Sequence, residues 1–168
     1  FFVTMLNKMA KDMGLINTNF TNVTGMPDKN HYTTARDLAI LSKNLITDYP
    51  KQYLRFSQKK YTYNNITQFN RNKLLTTYDF TDGIKTGHTN SAGYCLAASA
   101  MTDETRLVSV IFGANSSNAR FKNTKTLFKF GFRNFTTKKY FNKNKVIAKE
   151  RIWNGEEKYI DIGFNRDI

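Results

Sequence analysis

Three consecutive segments decide the fold: Ile84-Lys-Thr-Gly-His-Thr89, Gly93-Tyr-Cys-Leu-Ala-Ala-Ser-Ala-Met101 and Arg106-Leu-Val-Ser-Val-Ile-Phe-Gly113. The last two are dominated by apolar residues, and the polar link Thr102-Asp103-Glu104-Thr105 between them has the length and chemistry of an antiparallel hairpin connection. Both are apolar on successive residues, as at Leu107-Val108 and Val110-Ile111-Phe112, so the sheet is expected to be covered on both faces. Asp82-Gly83 reads as the turn that leads into the first segment.

Working outward, the cover for this sheet is a helix that opens at Ser116 or Ser117, carries Phe121, Phe128 and Phe132 at helical spacing, and has Gly131 near its end. Upstream, Thr34-x-x-Asp37 approximates a capping box. Leu38, Leu41, Leu45 and Ile46 continue as an apolar stripe up to Tyr49-Pro50, where the proline stops the helix. Residues 17–31 form a loop with Gly25-Met-Pro-Asp28 as turn chemistry, and Tyr61 to Thr67 alternates as a strand would. At the start, Phe2, Leu6, Met9 and Met13 make the apolar side of a helix, with Asn7, Lys8, Lys11 and Asp12 opposite. Gly14 is placed as its C-terminal glycine and Leu15 as cover for the last turn. After Asn134 the chain turns basic and then strand-like at Val146-Ile147, Ile152-Trp153 and Tyr159 to Ile162, around the turn Asn154-Gly155. The expectation is an α+β sandwich over residues 1–135, an antiparallel sheet covered by helices and incomplete as it stands. The beginning of a small all-β domain follows over residues 136–168, too short to bury a core alone. No start methionine, helix cap or signal-peptide pattern precedes Phe2, so the sequence reads as cut from a longer chain at both ends.

Composition agrees with a globular chain. Of 168 residues 40% are hydrophobic, and no run approaches the ~18 apolar residues of a membrane span. Cys95 is the one cysteine and His31 and His88 the only histidines, which excludes an internal disulfide and a zinc ligand set; no metal or cofactor is expected. Cys95, Tyr94 and Phe112 read as core residues, and His31, just before a helix cap, as structural. Lys+Arg number 26 against 13 Asp+Glu, a net charge of +13, but the lysines are scattered along the sequence and not striped, so nucleic acid is not the expected partner.

Chemistry concentrates in Lys85-Thr86-Gly87-His88. On an extended strand Lys85 supplies a cation and Thr86 a hydroxyl donor, and Gly87 leaves room for a ligand backbone to lie against the strand. That trio suits a carboxylate, through charge-assisted hydrogen bonds worth about 1.5–3 kcal/mol. The run from Phe80 to Ala100 closely resembles the third active-site motif of the serine D-alanyl-D-alanine carboxypeptidases, the low-molecular-mass penicillin-binding proteins. Further blocks resemble that family in the right order. They are residues 19–28 followed by His31-Tyr-Thr-Thr-Ala-Arg-Asp-Leu-Ala39, then Thr62-Tyr-Asn-Asn-Ile-Thr-Gln68 with Asn70-Arg-Asn-Lys-Leu-Leu75, and finally Ala119-Arg-Phe121 with Gly131-Phe-Arg133. The resemblance implies a β-lactamase/transpeptidase-like fold. It also implies an acyl-transfer site that removes the terminal D-alanine from peptidoglycan stem peptides and is acylated by β-lactams. It gives Lys85 and Thr86 the substrate carboxylate, with Arg71 and Arg120 near it, and gives the His88 backbone N–H to the oxyanion hole. The His88 imidazole then shapes the cleft wall, since the family's base is a lysine one turn after the nucleophile.

The nucleophile is not where the resemblance requires it. Ser57-Gln-Lys-Lys60 runs into strand-like alternation, Ser42-Lys-Asn44 lies inside a helix, and Ser116-Ser-Asn118 follows the third motif instead of preceding it. The serine, its lysine and the Ser-x-Asn loop are therefore expected before Phe1, leaving these residues with half a site and no activity alone. A β-lactamase or esterase relative, or a non-catalytic basic module binding wall polymer or nucleic acid, are the alternatives. An exported protein is expected, in the periplasm or on the outer face of the cytoplasmic membrane, with a C-terminal membrane anchor beyond Ile168.

Overall fold

A computed structural model describes residues 1–102 and 105–168, which divide into two units, Phe1–Phe135 and Thr136–Ile168. The first unit runs α1 (Phe2–Asp12), α2 (Ala35–Asp48), the single turn α3 (Pro50–Tyr53), a 3-10 turn (Leu54–Ser57), β1 (Lys60–Tyr63), β2 (Ile66–Phe69), the single turn α4 (Leu74–Thr77), β3 (Thr81–Thr89), β4 (Gly93–Thr102), β5 (Thr105–Ala114) and α5 (Ser117–Asn134).

β3, β4 and β5 form an antiparallel sheet in that order, with Thr86 opposite Leu96, Leu96 opposite Ile111 and Thr102 opposite Thr105. Asp103 and Glu104, the middle of the expected hairpin link, lie outside the described residues. Because side chains alternate along a strand, Leu96, Ala98 and Ala100 share a face, and they pack with Phe121 and Phe128 of α5 and Leu74 of α4. Leu74 is 0% exposed and Phe128 1%; full burial of such a side chain contributes roughly 1.5–3 kcal/mol. Of the alternate residues Ser99 is buried and Ala97, Val108 and Val110 are half-buried, and α2 packs on β5 and β4, as expected of a sheet covered on both faces.

Several elements differ from their sequence reading, each for a local reason. Phe2 and Met9 are exposed, and α1 instead buries Ala10, while Gly14 (φ +79°) ends it and Leu15 covers it. Asn7, read as part of the polar side, clamps the loop: its Nδ2 donates to the Phe20 carbonyl and its Oδ1 accepts from the Phe20 N–H, both at 2.8 Å. Residues 61–67 are not one strand but the hairpin β1–β2, whose turn is Asn64-Asn65, both at positive φ, a conformation that asparagine tolerates better than most residues. Asp82-Gly83 is no turn but part of β3, and glycine is needed because a Cβ there would collide with the Tyr53 hydroxyl. Pro50 both follows the end of α2 and opens α3. Gly131 lies inside α5 against Leu107, where a Cβ would strike that side chain, so close approach and not helix termination explains it.

The second unit is an antiparallel pair, β6 (Val146–Arg151) with β7 (Tyr159–Gly163). β6 continues to Arg151, so Ile152-Trp153 is not a separate strand. Ile152 N–H donates to the Lys158 carbonyl, closing a loop that includes Asn154 at φ 65°. Every residue of both strands is exposed.

Candidate active site

Among the described residues β4 alone pairs with β3, which makes β3 an edge strand of its sheet. Its backbone groups directed away from β4 have no strand partner, which is the arrangement an incoming extended peptide can complete. On this strand Thr86 is buried, whereas Lys85, Gly87 and His88 are exposed. The Lys85 ammonium folds back to donate to the Thr86 carbonyl at 2.6 Å.

The strand is braced from both ends. Before the site, Asn72 is 1% exposed, and its Nδ2 donates to the Gly83 carbonyl at 2.9 Å while its Oδ1 accepts from the Leu74 N–H at 3.2 Å. The Tyr53 hydroxyl donates to Asp82 Oδ1 at 2.8 Å, and Arg106 Nη1 reaches both Asp82 Oδ2 at 2.6 Å and Ser99 Oγ at 2.7 Å. Burial, aided by the Asp82 charge, pushes the Tyr53 phenol well above its ordinary pKa, so this hydroxyl is a fixed donor at any physiological pH. After the site, Arg120 at the start of α5 is 6% exposed and Nη1 donates to the carbonyls of Gly87 at 3.0 Å and Cys95 at 3.2 Å. Its Nη2 donates to Ser117 Oγ, and Nε is buried without a hydrogen-bond partner. Burial lowers the Arg120 pKa, although a guanidinium remains protonated. Its plane lies over the rings of Tyr94 (5.4 Å) and Phe121 (4.9 Å), and Tyr94 in turn packs on His88 with ring centroids 4.0 Å apart.

The six residues singled out by sequence are therefore unequal in place. Lys85, Thr86, Gly87 and His88 share the edge strand, and Arg120 grips that strand's backbone from α5. Arg71 is exposed beside Asn72, and it forms no ion pair among the described residues. His31 accepts from the Thr21 N–H at 3.3 Å and meets Phe20 edge-on, as a loop-holding residue. Asp37 is 0% exposed. Its Oδ2 accepts from Thr18 Oγ1 at 2.7 Å and from the Asn17 N–H at 2.8 Å, while Thr34 caps α2 by accepting from the Asp37 N–H. The Thr18 hydroxyl, followed by the Asn17 and Thr34 bonds, holds the Asp37 carboxyl below the ordinary carboxylate range despite its burial.

Residues 20–33 and the ends of β3, β4 and β5 enclose a cavity of about 630 Å³ whose walls include Met26, His31, Thr89, Cys95 and Phe112. Two core expectations fail here. Phe112 is 41% exposed on the cavity rim, and Cys95 is half-buried with Sγ against the Ala92 carbonyl at 3.3 Å. The three serine motifs set aside in the sequence are all structural: Ser57 Oγ donates to the Leu54 carbonyl, Ser42 Oγ to the Leu38 carbonyl, and Ser116 caps α5. Lys60 stands in β1, not one helical turn beyond Ser57. The bracing contacts of Tyr53, Asn72 and the Asp82–Arg106 pair were not read from the sequence, because each reaches a partner elsewhere in the chain. Among the described residues no group of three or more His, Cys, Asp and Glu gathers to hold a metal ion.

An antiparallel sheet covered by helices, with Lys-Thr-Gly on one of its strands, is the fold this chain shares with solved penicillin-binding proteins. Comparison with known proteins narrows it: residues 1–116 match the D-alanyl-D-alanine carboxypeptidase family, and the chain belongs to that family. D-alanyl-D-alanine carboxypeptidase DacA of Haemophilus influenzae is 43% identical over 166 residues, covering 96% of this chain and 42% of that protein. DacD of Escherichia coli is 40% identical, covering 99% of this chain and 43% of the relative. Among solved structures, penicillin-binding protein 5 of H. influenzae superposes with a TM-score of 0.87 at 42% identity, covering 99% of this chain and 49% of that one. Penicillin-binding protein D2 of Listeria monocytogenes in its cefotaxime-bound form gives 0.74 at 32% identity, covering 78% and 55%. The chain thus spans less than half the length of these two curated relatives.

Proposed function

We propose that these residues form the substrate-receiving side of a serine D-Ala-D-Ala carboxypeptidase acting on peptidoglycan stem peptides. The observation that carries the reading is the exposure of Lys85, Gly87 and His88 on an edge strand around the buried Thr86. Lys85 and Thr86 take the terminal carboxylate of the D-Ala-D-Ala end, and Arg71 adds a second cation from the loop before α4. The substrate backbone lies along β3 where Gly87 has no side chain. Arg120 lies near the carboxylate end and acts as a positioning residue that fixes the Gly87 carbonyl through Nη1.

The chemistry asks for a serine oxygen that adds to the penultimate carbonyl carbon. The developing oxyanion is held by the His88 N–H, the C–N bond to the last D-alanine breaks, and the leaving amine takes up a proton; water then releases the acyl group. This reading requires the serine and its lysine from polypeptide outside these 168 residues. β-Lactams present a carboxylate and an acylating carbonyl in similar relation and enter the same site. The cefotaxime-bound state of the Listeria relative supports this part. The substrate lies outside the cytoplasmic membrane, which makes the protein an exported one. A C-terminal amphipathic anchor belongs to the same reading. No helix among the described residues is long and apolar enough to cross a membrane.

The test is D-alanine release from a stem pentapeptide by a polypeptide that supplies the Ser-x-x-Lys and Ser-x-Asn elements together with this chain. Lys85→Ala and Thr86→Ala are each expected to lower kcat/KM roughly ten- to a hundredfold. Fluorescent penicillin is expected to label the supplied serine and to leave the 168-residue chain alone unlabelled. Labelling of Ser57 in that chain, or full activity of Lys85→Ala, overturns the reading.

A further inference from the structure

Lysines that are dispersed along the sequence meet in space on the flank of α5. At 3.6 residues per turn Lys122, Lys125 and Lys129 fall within an arc of about 60° on the helix. Together with Lys73 and Thr77 from α4 and Asn118 and Thr126 from α5, they line a groove of about 520 Å³. Lys125 Nζ donates to the Thr77 carbonyl at 2.8 Å, tying the two walls together. None of the four lysines is in an ion pair among the described residues. Nothing in the surrounding sequence offsets them: residues 105–149 hold eleven Lys and Arg and no Asp or Glu. Like charges three and four positions apart on a helix repel, so the spacings from Lys122 to Lys125 and from Lys125 to Lys129 disfavour the empty groove. An anion seated between them relieves that repulsion.

We propose that the α4–α5 groove is a binding site for a phosphate or diphosphate group. The donors favour this chemistry. Ammonium groups are point charges that suit phosphate oxygens, and the Asn118 amide adds a neutral donor beside them, while the Thr77 and Thr126 hydroxyls donate to the Lys73 and Lys122 carbonyls. The one aromatic residue in the lining, Phe121, is buried in the core and offers no stacking surface, and the lysines form a compact cluster instead of a track. Both features disfavour a nucleic-acid strand. The site is independent of the edge-strand reading, because none of its lining residues belongs to β3.

The experiment titrates the 168-residue chain with sodium pyrophosphate at fixed ionic strength, following binding by calorimetry and by thermal unfolding. Vesicles of phosphatidylcholine with and without phosphatidylglycerol form a second arm. The Lys122→Gln/Lys129→Gln variant is compared with Lys43→Gln/Lys51→Gln, which removes the same charge from exposed positions of α2 and α3. The expected result is pyrophosphate binding that the groove variant weakens by roughly tenfold or more, while the control pair changes it less than about twofold. Loss of vesicle capture in the groove variant alone identifies a lipid headgroup as the source of the phosphate. Vesicle capture equal in all three proteins, alongside selective pyrophosphate loss, identifies a soluble phosphate. No pyrophosphate binding, or equal weakening in both variants, overturns the site.

Discussion

The two units of this chain solve the same problem differently. Residues 1–135 bury Leu74, Leu96, Ala98, Ala100, Phe121 and Phe128 in one cluster, whereas residues 136–168 pair β6 with β7 and leave every strand residue exposed. Trp153 at 74% and Tyr140 at 73% exposed sit in the second unit, and Phe128 at 1% in the first. Backbone pairing alone is thus common to both, and apolar burial is what separates them. A two-stranded hairpin is marginal in water by itself, so the contribution of any one side chain depends strongly on the unit that carries it.

The sharpest way to break this contrast is Phe128→Ala. Removing a fully buried ring next to Tyr78 and Phe132 is expected to destabilise the first unit by about 3–5 kcal/mol in denaturant unfolding. Amide exchange in β6 and β7 should stay as it was. A fall in protection of β6 equal to that of β4 would show the two units to be one cooperative body. Asn72→Ala comes next. It leaves the buried Gly83 carbonyl and Leu74 N–H without their partner, a cost of about 1–3 kcal/mol, and it loosens the entry to β3. Exchange at Gly83 and Lys85 is expected to quicken before that of β5 does.

Acid separates the units through two aspartates. Asp37 and Asp167 both have folded-state pKa values below the ordinary carboxylate value, Asp37 chiefly through Thr18 and Asp167 chiefly through the Lys143 N–H. For a depressed pKa the stabilisation is present above the unfolded-state value, about 3.9, and is lost as pH falls through the lower folded one. An acid titration below about pH 4 should therefore unsettle residues 17–37 around buried Asp37. Asp167 is half exposed and paired with Lys139, and its contribution should also fade with added salt at neutral pH. Trp153→Ala is the smallest effect, within about 0.5 kcal/mol, because an exposed ring over Arg151 has little burial to lose.

The sheet, α2 and α5 could be read from sequence because their information is periodic and local: alternation or continuous apolarity for strands, Thr34 and Ser116 for caps. The Lys85–His88 run was likewise visible as residues. The resemblance that gave it meaning drew on blocks spread along the chain. What escaped depends on contacts across it. Gly83 looked like turn chemistry, yet its smallness answers the hydroxyl of Tyr53 thirty positions earlier. Phe112 has the apolarity of a core residue but ends at a cavity rim, where nothing in its own neighbours says so. Arg120 reads as a helix-start cation, and only the folded chain turns its guanidinium onto two backbone carbonyls. Asn64-Asn65 did carry a local signal, two residues tolerant of left-handed backbone, and the alternation around them obscured it.

An open sheet edge does not choose its guests by identity, only by the spacing of donors and acceptors. The rim of β3 that can greet a peptide can equally greet the same rim on another molecule of this protein. Self-recognition and ligand capture therefore compete for one row of hydrogen bonds, and diluting the protein at a fixed peptide concentration favours the peptide. A peptide occupant would act on this chain as a solubiliser, shielding the place where two copies would first adhere.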